Sequence, residues 1–147
     1  MDKYASDTED TNDYTPVSDV KSAIIVHKDD AEVTPGRRHF FEYRDFGITE
    51  PTNGALKAMM ITGKGGGEST GWHYHTCNFQ WVYQLKGEIE LQFEDGTTKI
   101  LRAGCSALLP GGVKHNEVRM SDEIEAVEIF SPAEFGTIAC DPPEGFA

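Results

Sequence analysis

The stretch Gly65–Gly87, GGGESTGWHYHTCNFQWVYQLKG, sets two of the chain's five histidines one residue apart behind a glycine run. In an extended strand, residues i and i+2 project to the same side. His73 and His75 therefore aim both imidazoles at one point, while Trp72 and Tyr74 face away. Gln80 follows five residues after His75, past a turn containing Asn78, where a return strand would bring its amide towards the pair. A third histidine, His115, follows the turn Pro110-Gly111-Gly112. Imidazole and oxygen donors of this kind suit divalent zinc, iron, nickel, copper or manganese. A His-x-His pair is also ordinary polar surface on many strands, so its meaning depends on its surroundings.

Those surroundings read as short strands. SAIIVH (22–27), FFEYRDF (40–46), ALKAMMIT (55–62) and FQWVYQL (79–85) are rich in β-branched and aromatic residues. EIELQFE (88–94) alternates, with Ile89, Leu91 and Phe93 on one face and Glu90, Gln92 and Glu94 on the other. Asp95-Gly96 is a hairpin signal leading into 97–101. Segments 105–109, 116–120 and 124–131 complete the set. No amphipathic helix of ordinary length appears, and there is no helix–strand alternation. The pattern predicts an all-β fold of antiparallel strands: a sandwich, jelly roll or small barrel.

A chain of 147 residues fits one domain. We read residues 1–20 as an acidic, disordered tail and 21–147 as one β-barrel domain. Within the tail, Asp2, Asp7, Glu9, Asp10, Asp13 and Asp19 outnumber the single Lys3. The net charge of −12 leaves no basic footprint for nucleic acid. No apolar run is long enough for a membrane span. The first residues lack the basic and apolar regions of a secretory signal, and Cys77, Cys105 and Cys140 have no CxxC spacing. The expected setting is cytoplasmic, with reduced thiols.

Two spaced patterns now stand out. The first is Gly67, five residues, His73-x-His75, four residues, Gln80, six residues, Gly87. The second is Gly104, five residues, Pro110-x-Gly112, two residues, His115, three residues, Arg119. Every spacing matches the two motifs of the cupin superfamily, which the chain resembles over about residues 35–135. The resemblance implies a single jelly-roll barrel. It also implies one divalent metal ion per chain, held by His73, His75, Gln80 and His115, with iron favoured and zinc, nickel, manganese or copper as alternatives.

Two positions depart from the motifs: Gln80 stands where the family has glutamate, and Arg119 where it has asparagine. A neutral Gln80 leaves the full charge on a divalent ion, giving a stronger Lewis acid that binds less tightly. On a regular strand His115, Glu117 and Arg119 share one face, which places Arg119 near the cavity as a fork for an anionic substrate. The other reading of Arg119 is an ion pair with Glu117 or Glu128 at the barrel rim. Trp72, Tyr74, Phe79, Trp81 and Tyr83 read as sheet packing.

Three functions are compatible with this set. The favoured one is dioxygenase-type chemistry on a small anionic organic substrate at a three-histidine, one-glutamine centre. The second is a metal-dependent isomerase, cyclase or lyase that needs no oxygen, with Glu117 or Glu128 as base. The third is a small-ligand sensor without turnover. A homodimer is expected, through apolar strand faces around Phe40, Phe41, Val118 and Met120.

Overall fold

The computed structural model describes residues 13–146. Residues 1–12, most of the expected acidic tail, lie outside the described residues, and 13–20 form neither helix nor strand. The described residues build eleven strands and one short 3-10 turn, Lys28–Asp30. The strands are β1 (Val33–Pro35), β2 (Phe41–Asp45), β3 (Lys57–Lys64), β4 (His73–His75), β5 (Phe79–Lys86) and β6 (Glu88–Phe93). They continue as β7 (Thr98–Arg102), β8 (Ser106–Pro110), β9 (His115–Met120), β10 (Glu123–Ser131) and β11 (Thr137–Ala139). All pairings are antiparallel. One sheet has the order β1-β2-β3-β10-β5-β8 and the other β11-β4-β9-β6-β7. Among the described residues, no helix is long and apolar enough to cross a membrane.

The two sheets share one core. Val82 from β5, Leu109 from β8 and Ile124 and Ala126 from β10 pack with Ile89 and Leu91 from β6, Leu101 from β7 and Met120 from β9. Alternation puts them there: on β6, Ile89 and Leu91 are buried while Glu88 is exposed. The expected Asp95-Gly96 hairpin joins β6 to β7. Asp95 accepts hydrogen bonds from the Thr97 amide (2.9 Å) and hydroxyl (2.6 Å), and Gly96 takes φ +88°.

Three sequence expectations need correction. SAIIVH forms no strand. It meets no sheet edge, and Ile24, Ile25 and Val26 stay 50%, 78% and 40% exposed. Strand preference needs a neighbour to be realised. Second, β9 does not alternate regularly. Glu117 pairs with Leu91 but Arg119 pairs with Glu90, so Val118 is an extra residue in a β-bulge. His115 and Glu117 face inward, the bulge reverses the phase, and Met120 turns inward in place of Arg119. Third, Met120 is core, 6% exposed, and so is not part of a free apolar face; Phe41 is half-buried against both core clusters.

The turn before β9 is tied to the loop between β4 and β5. Gly111 N–H donates to Asn78 O (3.1 Å) and Gly112 N–H to His75 O (3.0 Å). A Cβ on Gly111 would fall 1.6 Å from the Cys77 carbonyl oxygen. Only glycine permits that approach, and the approach fixes where His115 begins its strand.

Candidate metal centre

His73 and His115 face each other directly across the β4–β9 pair, and His75 lies two residues from His73 on the same face. β11 holds β4 from its other side, with Thr137 opposite His75. The three ring centroids lie 4.3 to 5.3 Å apart. One ring nitrogen from each histidine lies within 4.8 Å of the others, so the three could hold a metal ion.

The outer nitrogens are already engaged. His73 Nδ1 bonds Gly71 O (2.7 Å) and His115 Nδ1 bonds Val113 O (2.9 Å). A carbonyl only accepts, so each Nδ1 carries the hydrogen and Nε2 is left with its lone pair facing inward. His75 Nδ1 lies 2.9 Å from the Thr137 hydroxyl. Burial lowers the pKa of His73, and it takes His75 down to about 4, with the neighbouring histidines adding to the fall. Both are therefore neutral at physiological pH, the state in which imidazole ligates. His115 Nε2 is buried without a hydrogen-bond partner. Such an orphan costs about 1–3 kcal/mol, and a cation in the centre would relieve it. The residues present fit a divalent ion.

Gln80 reaches the same cavity by another route. β5 does not return beside β4; it belongs to the opposite sheet. Gln80 is 5% exposed, and its Oε1 is also buried without a partner. Its amide neighbours Glu128, and both line the cavity. That cavity holds about 310 Å³ between the sheets. Its apolar wall includes Met59, Ile61, Phe130 and Phe135. The rings of Phe130 and Phe135 stack at 4.1 Å, and both present to His75 edge-on.

Glu117 and Glu128 also line the cavity. Glu117 Oε2 accepts the Thr70 hydroxyl hydrogen and lies 3.7 Å from His73 Nε2. Burial pushes its pKa up, but His73 and His115 when protonated, with the Thr70 hydroxyl, pull it the other way, and the net displacement is downward. Glu128 has only the Gln80 side chain to favour its charge. Burial, with ionised Glu117 adding to it, takes its pKa up to about 8. The two glutamates of one cavity are therefore displaced in opposite directions, Glu117 down and Glu128 up.

Arg119 is outside. Its side chain is 69% exposed and bonds Glu90 at 2.9 Å. This is an ion pair, as the alternative reading of the sequence had it, but with Glu90 as the acid. The cation that does line the cavity is Arg37, from the turn before β2, with Tyr43 beside it. Neither carries a motif signal. Thr70 and Thr137, which support Glu117 and His75, were equally invisible, because they act through contacts distant in sequence.

A family model described as "Cupin domain" matches residues 59–131. The chain is a cupin. Over 111 residues, 75% of this chain and 77% of the relative, it is 32% identical to protein SchB of Streptomyces halstedii. Over 72 residues it is 39% identical to the 3-hydroxyanthranilate 3,4-dioxygenase of Meyerozyma guilliermondii, which covers 47% of this cupin and 41% of that enzyme. It also spans 61% of the length of protein YdbB of Bacillus subtilis, at 28% identity over 74 residues. Among solved structures, the polyketide cyclase RemF from Streptomyces resistomycificus superposes with a TM-score of 0.67 at 19% identity, covering 84% of this cupin and 89% of that chain. At that identity the likeness is one of fold.

The Glu128 environment has a consequence for stability. An unfolded glutamate titrates near 4.5 and the folded one near 8. Between those values the folded protein holds a proton that the unfolded chain has lost, so stability falls as pH rises. His75 acts in the opposite sense, but only between about 4 and its ordinary 6.5. The window from pH 6.5 to 8 is left to Glu128. Urea unfolding of metal-free protein should show declining stability across that window, and Glu128→Gln should flatten the decline. Equal slopes for parent and variant would contradict the assignment.

Proposed function

We propose that this cupin is a metal-dependent enzyme that moves protons on a small anionic organic substrate without consuming oxygen, as an isomerase, cyclase or lyase does. The observation that carries this is the placement of two glutamates, Glu117 and Glu128, from opposite sheets in one cavity beside three convergent histidines, with their pKa values displaced in opposite directions. His73, His75 and His115, with Gln80 Oε1 as fourth donor, would hold the ion. A divalent ion there supplies Lewis acidity towards a substrate oxygen. Glu117, charged and steadied by Thr70, is the base that accepts a proton from a carbon next to that oxygen. Glu128, protonated on the opposite sheet, donates a proton or hydrogen bond to the product enolate. The Phe130–Phe135 stack and Met59 exclude water from the substrate's apolar body.

A second reading, oxygen-dependent cleavage with iron, draws support from the segment 39% identical to a dioxygenase. The two separate cleanly. Metal-loaded protein under nitrogen in D2O is offered a panel of 1,3-diketones, 2-oxo acids and dihydroxybenzoates and followed by NMR. The proposal expects metal-dependent deuterium uptake at an enolisable carbon, reduced at least about a hundredfold in Glu117→Gln, the usual scale for a lost general base. Turnover seen only with oxygen would select the second reading. Binding without exchange or turnover would make the protein a ligand sensor.

Gln80 is testable through charge alone. Gln80→Glu adds an anion to the donor set and should raise metal affinity, measured by chelator competition; Gln80→Ala should lower it, each by about tenfold or more. Unchanged affinity in both variants would remove Gln80 from the ligand set.

A further inference from the structure

The cavity mouth carries a cation that the histidine site does not use. Arg37 comes from the turn between β1 and β2 and lines the cavity together with Tyr43. Its Nη2 donates to Thr70 O at 3.3 Å. Thr70 in turn donates its hydroxyl hydrogen to Glu117, and Glu117 lies 3.7 Å from His73. One residue therefore separates the guanidinium from the carboxylate beside the histidines. Its charge reaches His73 and His75 across the cavity.

Arg37 has donors to spare. The ion pairs of basic side chains among the described residues use Lys86, Arg102 and Arg119, and none involves Arg37. Arg38 stands beside it and donates to the same carbonyl, Thr70 O. Among the described residues, the Arg37 side chain makes one hydrogen bond, to a neutral carbonyl. Tyr43 completes the arrangement. Its oxygen accepts the Arg37 backbone N–H at 3.1 Å, which leaves the phenol hydrogen to donate. In a chain of net charge −12, Arg37 is the one lysine or arginine among the described residues that line this cavity.

We infer that Arg37, with the Tyr43 hydroxyl, is the specificity residue of this site, holding a substrate carboxylate at the cavity mouth while the other end of the molecule meets the histidines. This rests on the reading that the substrate is chelated at the histidine centre. The guanidinium fork matches a carboxylate bidentately, and the apolar lining of Met59, Ile61, Phe130 and Phe135 suits a carbon skeleton. The substrate class is thus a hydroxylated or oxo-substituted carboxylic acid. Arg37 takes the place that sequence reasoning gave to Arg119.

The test uses cobalt(II)-loaded protein under nitrogen and the visible cobalt spectrum. The probes are catechol, which chelates through two oxygens and has no tail, and 2,3- and 3,4-dihydroxybenzoate, which add a carboxylate beside or opposite those oxygens. The parent should bind one dihydroxybenzoate about tenfold more tightly than catechol, the scale of a charge-assisted hydrogen bond. In Arg37→Gln that ratio should fall to near one, and Arg37→Lys, which keeps the charge but not the fork, should fall between. The same ratio in Arg37→Gln as in the parent, or no carboxylate preference in the parent, overturns the inference while leaving the chelation reading intact. If catechol and both acids leave the cobalt spectrum of the parent unchanged, chelation itself fails and this inference falls with it.

Discussion

The antiparallel pairing of β4 with β9 is the constraint on which the site depends. It sets His73 opposite His115, and the two-residue period of β4 adds His75 on the same side. Three imidazoles that close together would repel one another if charged. They stay compact because burial keeps His73 and His75 neutral and because carbonyls of Gly71 and Val113 hold the Nδ1 hydrogens of His73 and His115 away from the centre. The folded chain thus carries an inward-facing lone pair on His115 with no protein partner. Hydrophobic packing of the two sheets must offset that cost, and a bound cation would remove it.

The two sheets contribute different chemistry to one space. The sheet containing β4 and β9 brings the histidines and Glu117. The other brings Gln80 and Glu128, together with Met59, Ile61 and Phe130. This division explains how two glutamates in one cavity differ. Glu117 shares its sheet with the imidazoles and receives a hydrogen bond from Thr70. Glu128 sits against apolar strands, with only the Gln80 amide beside it. A glutamate at position 80 would set a third carboxylate close to Glu128. An uncharged amide is therefore the group that fits between an ion and a protonated acid.

Much of this was legible in the sequence. The histidine spacing, the alternation of β6 and the Asp95-Gly96 turn each report local geometry, and local geometry is what a sequence pattern encodes. Non-local contacts were not legible. The bulge at Val118 arises from the register of β9 against β6, so nothing within residues 115–120 announces that Arg119 turns outward. SAIIVH has strand chemistry but no partner edge. Arg37 enters the cavity from a turn 36 residues before His73, and Thr70 matters only because the fold lays it against Glu117. β1 and β11 have three residues each, too few for a period to show.

The central claim is that one ion is held by three imidazoles from β4 and β9. X-ray absorption at the zinc edge of protein loaded with one equivalent of zinc addresses it directly, because imidazole rings leave multiple-scattering features that carboxylates and water do not. The account predicts three histidine nitrogens at about 2.0–2.1 Å, the remaining first shell made of light atoms and no sulfur. A sulfur shell near about 2.3 Å, which would put Cys77 or another thiol on the ion, or a shell with fewer than two imidazoles, would contradict it.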